Sequence, residues 1–275
     1  MEADILHYLI ICPLVFLGGF VDAIAGGGGL ISLPAYFLAG IPAHLALGTN
    51  KLSSLMGTAM ATGRLWRAGC IEGKRALPAV VAALIGSSSG ARMALLIPAQ
   101  WFQLFLAVLL PIVAFFVVFR RTAIRAEEAP MPEKRRLMIL TASALICGTY
   151  DGFYGPGCGT FMLLAFTLWA KLDVRRANGE VKAVNLASNT AAFVTFLLSD
   201  NVMWTLGLTA GIFGIVGNYL GAGLVLNKGA NVVRPIIVTV LVLFHERDFG
   251  DKTKSLLSPL VTGSKSSSVS AQEVS

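Results

Sequence analysis

Two constellations of residues in this chain have types and spacing that could bind a charged ligand. Asp22 precedes the run Gly26-Gly27-Gly28-Gly29, and 29 residues separate it from Lys51. Asp151 precedes Gly155-Pro156-Gly157-Cys158-Gly159, and 31 residues separate it from Lys182. A helix that begins after such a glycine run offers free backbone N–H groups and a partial positive charge, both of which favour an anion. Glycine also lets a ligand approach the backbone closely. The lysines add formal positive charge, at a cost of about 3 kcal/mol or more in a bilayer unless they are paired or wet.

The candidate substrate-binding set is therefore Gly26, Gly27, Gly28, Gly29, Asn50 and Lys51 from the first constellation. The second supplies Gly155, Gly157, Gly159, Lys182, Asn185 and Asn189. Thr49, Ser53, Ser54 and Ser188 lie among them at helical spacing, placed either to bond substrate oxygens or to glue helices together. Asp22 and Asp151 carry two readings. Each caps the short helix that follows it, or each binds a proton or gates the path, as intramembrane carboxylates do. The lysines carry a second reading too: snorkelling to an interface, or pairing with these aspartates. Glu180 has no acidic counterpart in the first half and reads equally well as a surface loop residue.

The elements that must position these groups are membrane helices. Of 275 residues, 55% are hydrophobic and only 13% charged, and the mean hydropathy is +0.73. A soluble domain carries about 25% charged residues, so this chain cannot coat itself against water. Apolar segments run at 5–24, 29–40, 44–62, 76–97, 101–119, 137–150, 158–170, 183–199, 203–226 and 231–244. A span needs about 20 residues, so 29–40 and 158–170 are too short to cross alone and read as pieces of broken helices. Glycines from Gly207 to Gly223 recur three to four apart, the spacing of close helix packing.

The two constellations share one order: long helix, Asp, glycine break, short helix, Lys-bearing helix, two more spans. Charge decides how the halves are related. The loop with Arg64, Arg67, Lys74 and Arg75 corresponds to Ser199-Asp200-Asn201, which has no basic residue. The loop at 40–44 carries only His44, and its counterpart carries Lys171, Arg175 and Arg176. The turn at 97–101 is uncharged, and its counterpart has Lys228 and Arg234. Under the positive-inside rule these equivalents lie on opposite sides of the membrane. The expected fold is all-α, a polytopic helical membrane protein of two inverted-topology repeats with broken helices at the glycine runs. Residues 1–119 form the first repeat, 120–136 a cytoplasmic linker, 137–244 the second repeat and 245–275 a disordered tail. The N-terminus is expected outside, with the first helix retained.

Several classes are set aside. The net charge of +7 sits in short clusters between apolar runs rather than on an aromatic-rich face, so nucleic acid is not a partner. Cys12, Cys70, Cys147 and Cys158 have no metal or disulfide spacing and read as packing residues. No catalytic residues, metal or cofactor are expected. An intramembrane aspartyl protease also needs one Asp on each of two spans, but Asp22 stands in Phe20-Val21-Asp22 without the Gly-x-Gly-Asp half of that signature. An anion channel or a non-transporting scaffold would share the same apolar spans.

The stretch from Gly19 to Gly29, followed by Gly48-Thr49-Asn50-Lys51-Leu52, resembles the sulfite exporter TauE/SafE family, most closely its YfcA-like branch of bacterial inner-membrane proteins. The stretch Tyr150 to Gly157, Lys182 to Asn189, and Lys228-Gly229 through Arg234-Pro235 fit the second-half pattern. The likeness runs over about residues 8–243. It implies transport of sulfite, sulfonates or related sulfur-containing anions, without a cofactor. One departure is plain. The family's last helix stays apolar almost to the C-terminus, whereas here it stops at Phe244 and gives way to His245-Glu246-Arg247-Asp248 and a Ser-rich tail. A frame change in the gene would produce that ending.

Overall fold

The computed structural model describes residues 4–98, 102 and 130–228. Within them the chain is all-helical, in the order α1 (Ile5–Ala25), α2 (Gly29–Leu38), α3 (Ala43–Arg67), α4 (Gly73–Leu96), α5 (Glu133–Phe153), α6 (Cys158–Leu168), α7 (Val174–Leu197) and α8 (Trp204–Lys228). The helix lengths run 21, 10, 25, 24 and then 21, 11, 24, 25 residues. Segment 101–119 apart from Phe102, segment 231–244, most of the linker and the tail lie outside the described residues.

Local chemistry explains the boundaries. Asp4 and His7 form a reciprocal capping box that starts α1. Asp173 starts α7 by accepting the N–H groups of Arg175 and Arg176 at 3.0 and 3.2 Å. Arg64 and Arg67 sit in the last turn of α3, where they favour the helix dipole. Apolar runs alone set some boundaries wrongly. Helix α7 begins at Val174, not at 183, because the stretch from Arg175 to Lys182, its apolar run broken up by Arg175, Arg176, Asn178, Glu180 and Lys182, remains helical. Helix α5 likewise extends back to Glu133.

Three helices, α1, α4 and α8, are long and apolar enough to cross a membrane by composition. Helices α3, α5 and α7 fall short of that measure while matching the others in length. They carry Lys51, Asp151 and Lys182 respectively, so polar cargo turned toward the protein interior lowers their hydropathy. Apolar side chains stay exposed on the outside, including Leu77, Ile85, Ile146 and Ile212, as a lipid-facing surface requires. At about 1.5 Å per residue α2 and α6 are roughly 15 Å long, half of a ~30 Å hydrocarbon core.

The helices exchange partners. Helix α8 packs on α1 and α3, and α4 packs on α5 and α7. Glycines make both crossings close. A Cβ on Gly217 or Gly221 would strike the carbonyls of Phe16 and Phe20, and one on Gly90 or Gly152 would strike those of Thr149 and Ser87. Small residues let backbones approach this way where lipid supplies no hydrophobic drive. Cys12, Cys70 and Cys158 are buried and unbridged in this framework.

Candidate functional site

Helix α1 ends at Gly26, whose left-handed φ of 74° turns the chain while its N–H bonds the Asp22 carbonyl at 2.8 Å. The freed carbonyls at that end are satisfied by the other half of the chain. Asn178 on α7 donates to Ile24 O at 2.8 Å, and Thr160 on α6 donates to Ala25 O at 2.8 Å. At the end of α5 the Tyr150 carbonyl accepts from Tyr154 and Gly155, and the Tyr150 hydroxyl donates to Pro156 O at 2.7 Å. The two glycine runs then meet. A Cβ on Gly26 would overlap the Gly159 backbone, and one on Gly29 would come within 3.1 Å of Pro156 Cα. The starts of α2 and α6 are thereby brought to one place.

The charged residues pair crosswise. Lys51 Nζ lies 2.8 Å from Asp151 Oδ2, and Lys182 Nζ lies 2.6 Å from Asp22 Oδ2. Neither lysine snorkels: their side chains are 3% and 0% exposed. Neither aspartate caps a short helix, since Gly28 and Gly157 hold the N-cap positions of α2 and α6 and no side chain bonds there. Burial explains the outcome, because an unpaired charge here would cost several kcal/mol. Each carboxylate is paired with a different lysine, an arrangement unlike the facing carboxylates of an aspartyl-protease dyad.

The pairs have different surroundings. Lys51 also donates to Asn189 Oδ1 at 3.2 Å. An ammonium has three donors, and these two bonds leave one for a ligand. Ser188 donates to Asp151 Oδ2 at 2.5 Å and its own carbonyl accepts from Ser87 at 2.7 Å, which fixes the carboxylate. Thr49 serves as glue, its Oγ1 accepting the Met203 N–H, while Ser53 bonds Asn50 O and Tyr36 and, like Ser54, also lines the central cavity.

A cavity of about 50 Å³ lies where the constellations meet. Asp22, Gly26, Gly28, Gly29, Asn50, Lys51, Asp151, Gly155, Gly159, Asn185 and Asn189 line it, all of them expected from the sequence. Gly27, Gly157 and Lys182 do not line it; Lys182 stands behind Asp22. Asn50 and Asn185 are each 6% exposed, and their carboxamide oxygens have no hydrogen-bond partner among the described residues. Asn218 of α8 is a third such wall residue, 3% exposed and also missed from the sequence, together with Ser32, Gly18 and Gly214. The signal for Asn218 was available: it is a lone amide inside an apolar, glycine-rich helix. Glu180 is not a loop residue. It is buried on α7, and its Oε1 accepts the Glu72 N–H at 2.9 Å. Among the described residues no cluster of three or more metal-ligating side chains forms.

The wall thus combines a paired lysine with a spare donor, two glycine-bounded helix starts and the amides of Asn50 and Asn185, whose NH2 groups are donors; the partnerless amide oxygens are acceptors. Such an arrangement can solvate a small oxyanion once water is excluded.

Comparison with known proteins gives the family of the chain. The chain is 35% identical to a probable membrane transporter protein of Sinorhizobium sp., over 88% of this chain and 92% of that protein. It is 34% identical to one from Haemophilus influenzae, over 81% of this chain and 87% of the relative. It is 32% identical to the probable membrane transporter protein YfcA of Escherichia coli K12, over 82% and 84%. No solved structure matches. The family model described as sulfite exporter TauE/SafE matches residues 11–244. A membrane transporter rather than an enzyme, the chain belongs to the sulfite exporter TauE/SafE family.

Proposed function

We propose that this protein is a secondary transporter of small oxyanions, of the sulfite or organosulfonate class, working by alternating access in the bacterial inner membrane. The carrying observation is the cavity at which Lys51, two glycine-bounded helix starts and the Asn50 and Asn185 amides converge. The anion binds there between the starts of α2 and α6. Lys51 offsets its charge, and the helix-start N–H groups and the NH2 groups of Asn50 and Asn185 donate to its oxygens.

Size supports an oxyanion of few atoms. A water needs about 10–15 Å³ of such space, so about 50 Å³ holds three or four water-sized groups, the bulk of sulfite. A longer organosulfonate would require the cavity to open.

The pairing supports proton coupling at Asp151. Protonating Asp151 releases Lys51 to the anion, so one site takes up both a proton and the anion. In the second pair the lysine stands outside the cavity wall, and Lys182 with Asp22 holds α7 against α1 as a fixed strut. Residues 1–119 and 137–244 form two inverted repeats joined by the cytoplasmic linker 120–136. The matched helix lengths and the exchanged packing of α4 and α8 support that reading. Rocking of the repeats exposes the midplane site to each side in turn.

The test is radiolabelled sulfite flux into proteoliposomes with and without a pH gradient, competed by sulfonates, thiosulfate, sulfate and carboxylates. Saturable flux, accelerated by the gradient and competed first by sulfur oxyanions, is expected. Flux that never saturates marks a channel and contradicts the carrier.

A further inference from the structure

A second cavity, of about 520 Å³, opens on the outer surface between α5 and the end of α6. Its floor is apolar. Ile139, Ala142 and Ile146 rise along one face of α5 at helical spacing, and Leu168 and Trp169 close the α6 side. Arg135 and Lys171 stand in the same wall.

These two cations differ from their neighbours. Among the described residues neither makes an ion pair, while the nearby carboxylates are already engaged. Glu133 is held by Arg75 at 2.6 Å and approached by Arg136 at 3.6 Å. Asp173 is held by Arg176 at 3.7 Å and caps α7. Arg136 turns inward and donates to Ala170 O at 3.2 Å. Lys171 adopts a left-handed φ of 57°, which a non-glycine residue takes at a cost. Trp169 is 63% exposed beside it, the habit of an aromatic at the headgroup level.

An apolar channel with two uncompensated cations at the headgroup level is complementary to one molecule class in a bilayer. We infer that this groove binds an anionic phospholipid, one acyl chain on the Ile139–Ile146 face and the phosphate between Arg135 and Lys171. The basic end of α5 is the cytoplasmic end by charge bias, and anionic lipids supply its counter-ions. This inference stands independently of the transported substrate.

The test is native mass spectrometry of the full-length protein titrated with phosphatidylglycerol or with phosphatidylcholine of identical chains. Wild-type protein should retain phosphatidylglycerol and shed phosphatidylcholine. Arg135→Gln with Lys171→Gln should weaken phosphatidylglycerol about thirtyfold, two surface charges' worth. Lys134→Gln, which removes a cation outside the groove, should not. Ala142→Trp fills the channel with both cations in place and should weaken retention as well. Monodisperse elution and unchanged melting certify that the variants are folded, and a variant that fails them is replaced by Ile146→Trp. Equal retention of both lipids, unchanged retention in the double variant, or equal competition by free glycerol phosphate would overturn the proposal.

Discussion

Lys51 of α3 and Asp151 of α5 stand 100 residues apart in the sequence and meet at 2.8 Å inside the protein. A buried pair of this kind contributes little net stability, because desolvation offsets the attraction, yet breaking it is costly. Lys51→Met alone should therefore destabilise the protein by about 3–5 kcal/mol. Adding Asp151→Asn should recover most of that loss. Unfolding in detergent, followed as a double-mutant cycle, measures the coupling. A coupling near zero would mean the pair does not exist in solution.

Proton coupling separates the two aspartates. Asp151→Asn keeps a hydrogen-bonding side chain but cannot take up a proton. This variant should exchange sulfite at equilibrium while losing its response to a pH gradient. Asp22→Asn should keep that response, since Asp22 is bound to a lysine outside the cavity wall. Flux at matched and mismatched pH reads both.

Two glycines with similar backbone angles should differ sharply on substitution. Gly40 has φ of 77° with nothing within 4 Å of a built Cβ, so Gly40→Ala should cost about 1–2 kcal/mol of backbone strain only. Gly26 has φ of 74° and its Cβ would overlap the Gly159 backbone. Gly26→Ala should therefore separate the two helix starts, lower the yield of folded protein and abolish transport. Expression, melting and flux of the two variants side by side check this.

The caps supplied across the halves can be tested at Asn178. Asn178→Ala leaves the Ile24 carbonyl unsatisfied at the end of α1, a loss of about 1–3 kcal/mol. Asn178→Ser should restore part of it through water or a longer bond. A melting series detects the difference.

Much of the site was legible because its parts are expensive in a membrane. Glycine runs, intramembrane lysines and aspartates are rare enough in apolar sequence that their order alone pointed to eight of the wall residues. Partner choice was not legible. A buried charge announces that it needs a counter-ion, but nothing in the spacing of Lys182 says that Asp22, 160 residues away, supplies it. Nor did sequence separate the two lysines, whose local surroundings read alike while only Lys51 reaches the cavity. Helix limits were blurred for the same reason. Apolar runs define the lipid-facing band, whereas Ala177 through Lys182 are helical and buried against protein. Glu180, which the sequence left open between a surface loop residue and another role, lies buried on α7.

The most direct test of the central claim is counterflow of radiolabelled sulfite in proteoliposomes, comparing two charge-neutral double variants. Lys51→Gln with Asp151→Asn removes the cavity's cation without leaving a buried charge. Lys182→Gln with Asp22→Asn does the same to the strut. The first should weaken sulfite binding about tenfold to a hundredfold, the worth of one charged hydrogen bond, while the second should stay near wild type. Wild-type exchange by the first variant would contradict the assignment of the Lys51 cavity as the substrate site.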